Sequence, residues 1–218
     1  MARAMWLRWG DETLVRPSGS VRRAMEAGLR VFDQMGYETA TIEDLRLQSE
    51  MSVGSIYHHF GDKAGLATAL YVQSLLGYQE RLRAVLASPH GNAETVVRGF
   101  VVEHLRWAAR EPARARLLLQ RREIEVAPLA QARIDATNRA LFGVIDRWYG
   151  PRAERCEIRL LAQPLLHAVW MGPAQEYCRL ALGPSRGWPP DGPDPLAGDE
   201  LATAERDLAD TAWAALRP

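Results

Sequence analysis

The sequence predicts an all-α protein of about nine helices, with a three-helix N-terminal helix-turn-helix domain joined by a shared long helix to a C-terminal helical bundle. Three observations carry that expectation. Strand-type alternation is nearly absent, and Ala, Leu, Arg and Glu recur at helical spacing. Gly and Pro punctuate the periodic stretches at Gly36, Gly61, Pro89, Gly91, Pro112, Pro128 and Gly150-Pro151. Near the N-terminus, two short helical patterns joined by a tight link stand between two longer ones.

The first element is the most regular. Val21, Ala24, Met25, Gly28, Leu29, Phe32 and Met35 fall on one face, and Arg22, Arg23, Glu26, Arg30 and Asp33 on the other. Ser18 or Ser20 caps its start and Gly36 ends it. Thr41-Ile42-Glu43-Asp44 has the form of a capping box with Asp in the reciprocal position, opening a short helix to about Gln48. A link over Ser49–Ser52 leads to a second short helix, capped by Ser52 and ending near Phe60. Asp62 then caps a long helix from Lys63 to about Ala87. Further helices are expected near 93–110, 112–123, 128–149, 154–182 and 199–216, where Pro is tolerated in a first turn. Residues 183–198 carry Pro184, Pro189, Pro190, Pro193 and Pro195 and read as a loop. The expected organisation is a tail at 1–17, a helix-turn-helix domain at 18–65, and a ligand-binding and dimerisation domain at 66–218.

Composition narrows the class. The 218 residues are 47% apolar and 25% charged with no net charge, and the isoelectric point is near 7.0. No global basic field announces a nucleic-acid partner. Lys63 is the only lysine. Cys156 and Cys178 lie far apart without metal-type spacing, and both are expected to be small core residues. The opening MARAMWLRWGDETLVRP has no secretory apolar core, and no apolar run approaches a membrane span, so a cytoplasmic protein is expected. No phosphate loop, nucleophile elbow, HExxH or carboxylate pair appears, so neither an enzyme nor a cofactor or metal is expected.

The helix-turn-helix carries the function. Gly36-Tyr37-Glu38-Thr39-Ala40-Thr41-Ile42-Glu43-Asp44-Leu45, followed by Ser52-Val53-Gly54-Ser55-Ile56-Tyr57-His58-His59-Phe60-Gly61-Asp62-Lys63-Ala64-Gly65-Leu66, resembles the signature of the TetR family over roughly residues 20–70. That resemblance implies a homodimer that represses transcription from a double-stranded DNA operator until a small molecule binds the C-terminal bundle. The residue chemistry agrees. Gly54 has no side chain to hold the recognition helix off the duplex. Thr41, Ser52, Ser55 and Tyr57 offer hydroxyls to phosphate oxygens, and Lys63 adds a charge. Val53 and Ile56 either meet thymine methyls or pack inward. His58 or His59 reaches a base edge or phosphate, with one of the pair turned into the core. Phe60 and Leu66 are core. The sequence departs from the family at Glu50, where the turn usually has Gly, and a left-handed Glu there costs roughly 1–2 kcal/mol. Residues 16–76 also carry six cationic against seven acidic side chains, a weak electrostatic footprint for DNA.

In the bundle, His104, Trp107, Phe142, His167 and Trp170 are the candidate pocket lining, with ordinary core as the alternative for each. The dimer surface is expected on the last two helices. Leu161, Leu165, Ala168, Val169, Gly172 and Glu176 line the first, and Leu201, Leu208, Ala212, Trp213 and Leu216 the second. A helical ligand-binding or interaction protein with weak or lost DNA binding is the rival reading.

Overall fold

A computed structural model describes residues 19–49, 51–88, 91–119, 128–183 and 192–218. The described residues form ten helices and no strand: α1 (Gly19–Met35), α2 (Ile42–Ser49), α3 (Val53–Phe60), α4 (Lys63–Leu86), α5 (Ala93–Arg110), α6 (Pro112–Leu119), α7 (Pro128–Glu154), α8 (Gln163–Trp170), α9 (Gly172–Ala181) and α10 (Gly198–Leu216). The tail at 1–17, the Ser18 cap, Glu50 and residues 184–191 of the Pro-rich loop lie outside the described residues.

The chain divides into two compact units. The head holds the residues up to 77 together with 116–138, and the body holds 78–115 together with 139–218. The division falls inside α4, α6 and α7, so each of these helices has residues in both units.

In the head, Val21, Ala24, Met25, Val31 and Phe32 of α1 are buried with Leu45, Ile56, Phe60, Leu66 and Leu70. Met35, expected on the same face, is exposed instead. Gly28 permits close packing of α1 on α4, since a Cβ there would meet Leu66 Cδ2 at 2.7 Å. Gly36 and Gly61 adopt φ of +80° and +81°, the left-handed region that an L side chain resists. The last turns of α6 also belong to this core. Leu117 is buried in it, and the Arg116 fork donates to both oxygens of Asp33 at 2.5 and 2.8 Å.

In the body, α5 buries Val97, Phe100, Val101, His104, Leu105, Trp107 and Ala108. Trp170 packs against Phe100 and Trp148 with ring centroids 4.6 and 5.8 Å apart. Its indole N–H donates to the Val97 carbonyl at 3.0 Å. Ion pairs join α10 to α5: Arg106 to Glu205 through two bonds of 2.9 and 2.8 Å, and Arg98 to Asp210.

Three expectations of local structure need correction. The helix expected to end at 149 continues to Glu154 through Pro151. Arg152 bridges that turn, stacking 4.7 Å from the Trp148 ring and donating to the Trp148 carbonyl at 2.9 Å. The single helix expected over 154–182 is two helices preceded by a link, because Pro173 has no N–H to continue α8 beyond Met171. Residues 155–162 instead spend their backbone groups elsewhere. The Tyr149 hydroxyl donates to Arg159 O at 2.5 Å and accepts from Leu161 N–H at 2.7 Å, while Arg159 N–H donates to Leu216 O at 2.8 Å. Finally, Cys178 is buried but Cys156 is exposed. It holds the left-handed position after α7, at φ +57°. Its N–H reaches Ala153 O at 3.1 Å and that of Glu157 reaches Arg152 O at 2.9 Å, a Schellman closure usually given to Gly.

Candidate nucleic-acid interface

The two short helices are closed by side chains on both sides of the turn. Asp44 Oδ2 accepts from Thr41 N–H at 2.9 Å and from the Thr41 hydroxyl at 2.6 Å, while Thr41 Oγ1 accepts from Asp44 N–H at 3.2 Å. These bonds hold the Asp44 carboxyl below its ordinary range. The Arg46 guanidinium hydrogen-bonds Glu43 at 2.7–2.9 Å and holds that carboxyl low as well. Ser49 Oγ accepts from Met51 N–H at 3.3 Å across the turn. Ser52 caps α3, its Oγ accepting from Ser55 N–H at 3.1 Å, and Asp62 Oδ1 caps α4 through Gly65 N–H at 2.6 Å.

Helix α3 has two distinct faces. Ile56 (1% exposed) and Phe60 point into the core. Of the two options for Ile56 the inward one holds, because the helix needs that side chain against Leu45 and Leu66. Ser52, Gly54, Tyr57 (49% exposed) and His58 face solvent, as does Thr41, and Val53 and Ser55 are half-exposed. Nothing lies within 4 Å of a Cβ built on Gly54, so the position opens outward. His59 is the inward member of the histidine pair. Its Nδ1 is buried without a protein partner, and burial, aided by the neighbouring His58, lowers its pKa.

Lys63 occupies a different place from the phosphate contact that its position in the motif implies. Its ammonium donates to three carbonyls of the α1–α2 turn: Tyr37 O at 2.8 Å, Glu38 O at 3.1 Å and Ala40 O at 2.9 Å. It also sits 4.6 Å from the centre of the Tyr37 ring. All three of its N–H donors are therefore spent within the head.

The five candidate pocket residues fall into three groups. His104 and Trp107 pack with Tyr78, whose ring centroid is 5.6 Å from His104 and 4.5 Å from Trp107. Phe142 and His167 are exposed and meet each other edge to face at 6.4 Å. Trp170 belongs to the Phe100–Trp148 stack. Tyr78 was not singled out by periodicity, since nothing in the sequence pairs it with a residue 26 positions on. A groove of about 470 Å³ opens between α4 and α5, lined by Arg81, Val85, Ser88, Thr95, Gly99 and Glu103. None of the five candidates lines it.

The expected dimer face also divides. Leu165, Ala168 and Glu176 are exposed, and Val169, Gly172, Leu201, Leu208 and Trp213 are half-exposed. Leu161 is half-exposed but lies in the 155–162 link rather than on a helix. Ala212 (2%) and Leu216 (0%) are buried inside the protomer and leave the expected surface. The apolar stripe of α10 is used on its own body, where Ala204 and Ala209 are buried too.

A two-sided second helix on a closed three-helix support has the form of a helix-turn-helix motif. Residues 24–70 match the family model described as bacterial regulatory proteins, tetR family. Over that segment the chain is similar to the TetR family. It is 36% identical over 83 residues to the HTH-type transcriptional repressor AcnR of Corynebacterium glutamicum, covering 34% of this chain and 44% of that protein. It is 24% identical over 148 residues to the HTH-type transcriptional repressor NemR of Escherichia coli, covering 64% and 74%. The chain spans about half the length of the AcnR relatives it matches, 44% and 50%. Among solved structures, FadR from Bacillus subtilis in complex with stearoyl-CoA has the same fold, with a TM-score of 0.69 at 14% identity over 89% of this chain and 98% of that one. The ketosteroid transcriptional regulator KstR2 of Mycobacterium tuberculosis gives 0.68 at 16% identity over 94% and 98%. The proteins matched are regulators rather than enzymes. No described helix is long and apolar enough to cross a membrane.

Proposed function

We propose that this chain is a transcriptional repressor that binds a pseudo-palindromic operator as a homodimer and is released by a small molecule held in its body. The observation that carries the reading is the two-sided α3, with Ser52, Gly54, Tyr57 and His58 outward over buried Ile56 and Phe60. Thr41, Ser52, Ser55 and Tyr57 take phosphate oxygens, while Val53 and His58 lie nearest the bases and the inward His59 supports the helix from behind. The dimer forms through Leu165, Ala168, Val169 and Gly172 with the outward side of α10. Its two heads enter successive major grooves about 34–36 Å apart. Release follows when a ligand in the body favours a shape that spoils this spacing, with α4 running through both units.

The test is a gel shift against DNA flanking the chain's own gene, with sedimentation at the same micromolar concentration. A salt-sensitive complex and a dimer are expected. A folded protein that shifts no fragment would make it a helical ligand-binding or interaction protein, and a monomer would remove the operator symmetry.

Lys63 supplies a sharper measurement. Its donors are spent on the α1–α2 turn, so Lys63→Met should weaken DNA binding while leaving the slope of log affinity against log salt unchanged. A slope smaller by about one unit would place the ammonium on a phosphate instead.

A further inference from the structure

Among the described residues of the body, two buried side-chain polar atoms lack a hydrogen-bond partner, His104 Nε2 and Arg152 Nε, and of the two His104 is the more deeply enclosed. His104 is 2% exposed. Its Nδ1 lies 2.9 Å from the Tyr78 hydroxyl, and its Nε2 is buried with no protein partner. The direction of the Tyr78 bond fixes what that second nitrogen offers. If Nδ1–H donated to the phenol, the phenolic proton and the Nε2 lone pair would both lack partners. If the phenol donates to Nδ1, only one group is left over, an Nε2–H donor. The second arrangement costs one unmade hydrogen bond fewer and is favoured.

A buried N–H donor selects an acceptor oxygen. Its surroundings decide the charge of the molecule carrying it. Trp107 and Tyr78 flank the ring with apolar faces. The acidic groups that act on Tyr78 are Cys178 and Glu103, and Glu103 already engages Arg81 and Arg110 at 3.4 and 3.1 Å. A carboxylate would therefore be buried against a like charge, with Arg81 and Arg110 already engaged. We infer that the body binds uncharged, largely apolar molecules bearing a carbonyl-type oxygen, which accepts a hydrogen bond from His104 Nε2–H beside Tyr78 and Trp107. This rests on the reading of the body as an effector site and names the effector's chemistry.

The experiment uses the full chain without DNA, with its histidines labelled with ¹⁵N. The probes are matched sets such as 4-phenyl-2-butanone, butylbenzene and 3-phenylpropanoate, extended to larger ketones and esters with their hydrocarbon and carboxylate counterparts. Free protein should show His104 as the Nε2–H tautomer, and ketones or esters should move that resonance. They should bind at least tenfold tighter than the matched hydrocarbon or carboxylate. In His104→Leu that gap should close, and in Tyr78→Phe, which no longer fixes the tautomer, it should narrow. The inference is overturned by an Nδ1–H tautomer, by hydrocarbons or carboxylates binding as well as ketones, or by a panel that leaves the His104 signal unmoved. Because the wild-type spectrum answers first, misfolding of a variant does not block the decision. DNA release is scored separately, so ketones that bind without releasing DNA would preserve this site and refute the effector reading.

Discussion

The head and the C-terminal stretch of the body close their helices in opposite ways. In the head, α2, α3 and α4 each begin on a side-chain cap, from the Thr41–Asp44 box to Ser52 and Asp62, and one ammonium fastens the α1–α2 turn. From residue 151 onward the body is less complete. Helices α8, α9 and α10 start at Ala162, Met171 and Ala197 with no side-chain cap. A proline lies within α7, and a cysteine takes the glycine position after it. A reading surface must hold fixed angles, so its backbone donors are satisfied locally. Under the proposed function, the body changes shape with a ligand and tolerates looser ends, since low local stability is where such motion is drawn from.

Acid separates the two regions most strongly. Burial, reinforced by the charge of His167, pushes the His104 pKa down to about 4 from 6.5. The folded body thus binds fewer protons than the unfolded chain, and its stability is complete above pH 6.5 and lost as pH falls towards 4. Between pH 7 and 4 this amounts to about 3 kcal/mol. Denaturant titrations across that range should show the loss, and His104→Leu should flatten it. An equal slope in wild type and variant would break the comparison.

A smaller effect is expected at Cys156. Glycine pays no Cβ penalty at φ > 0, so Cys156→Gly should stabilise the body by about 1 kcal/mol, read as a raised melting temperature. Smaller still are the caps. Ala197 has the extended backbone of an N-cap, φ −135° and ψ 158°, so Ala197→Ser should gain about 0.5 kcal/mol, while Ser52→Ala in the head should cost about 1. If both caps changed stability equally little, the head would owe its order to its core alone.

The head was legible because its signals are local. Thr41, Ser52 and Asp62 stand at fixed offsets from the groups they cap, and Gly36 and Gly61 mark the turns where φ is positive. The inward turn of Ile56 needed the packed partners Leu45 and Leu66, which no spacing reveals. Lys63 reads as a phosphate contact because a charge on a DNA-binding motif points to phosphate; its three bonds to carbonyls 23–26 residues earlier lie beyond any spacing rule. In the body, Pro173 stands in the sequence at the break between α8 and α9, but the helical periodicity of 154–182 runs on across it and hides that break. Ala212 and Leu216 were assigned outward because an apolar stripe does not say which neighbour it covers. The Tyr78–His104 pair lies beyond any periodicity for the same reason.

The fastening of Lys63 also gives the protein a chemical clock. As the only lysine in the sequence, it is the single side-chain amine that an acylating reagent can find. While its three carbonyl bonds hold, the nitrogen is enclosed by Tyr37, Glu38 and Ala40 and turned away from a reagent. Modification must wait for the α1–α2 turn to let go. The rate at which this one amine is acylated therefore counts the openings of the α1–α2 turn, and comparing that rate with and without DNA would show whether a duplex tightens it.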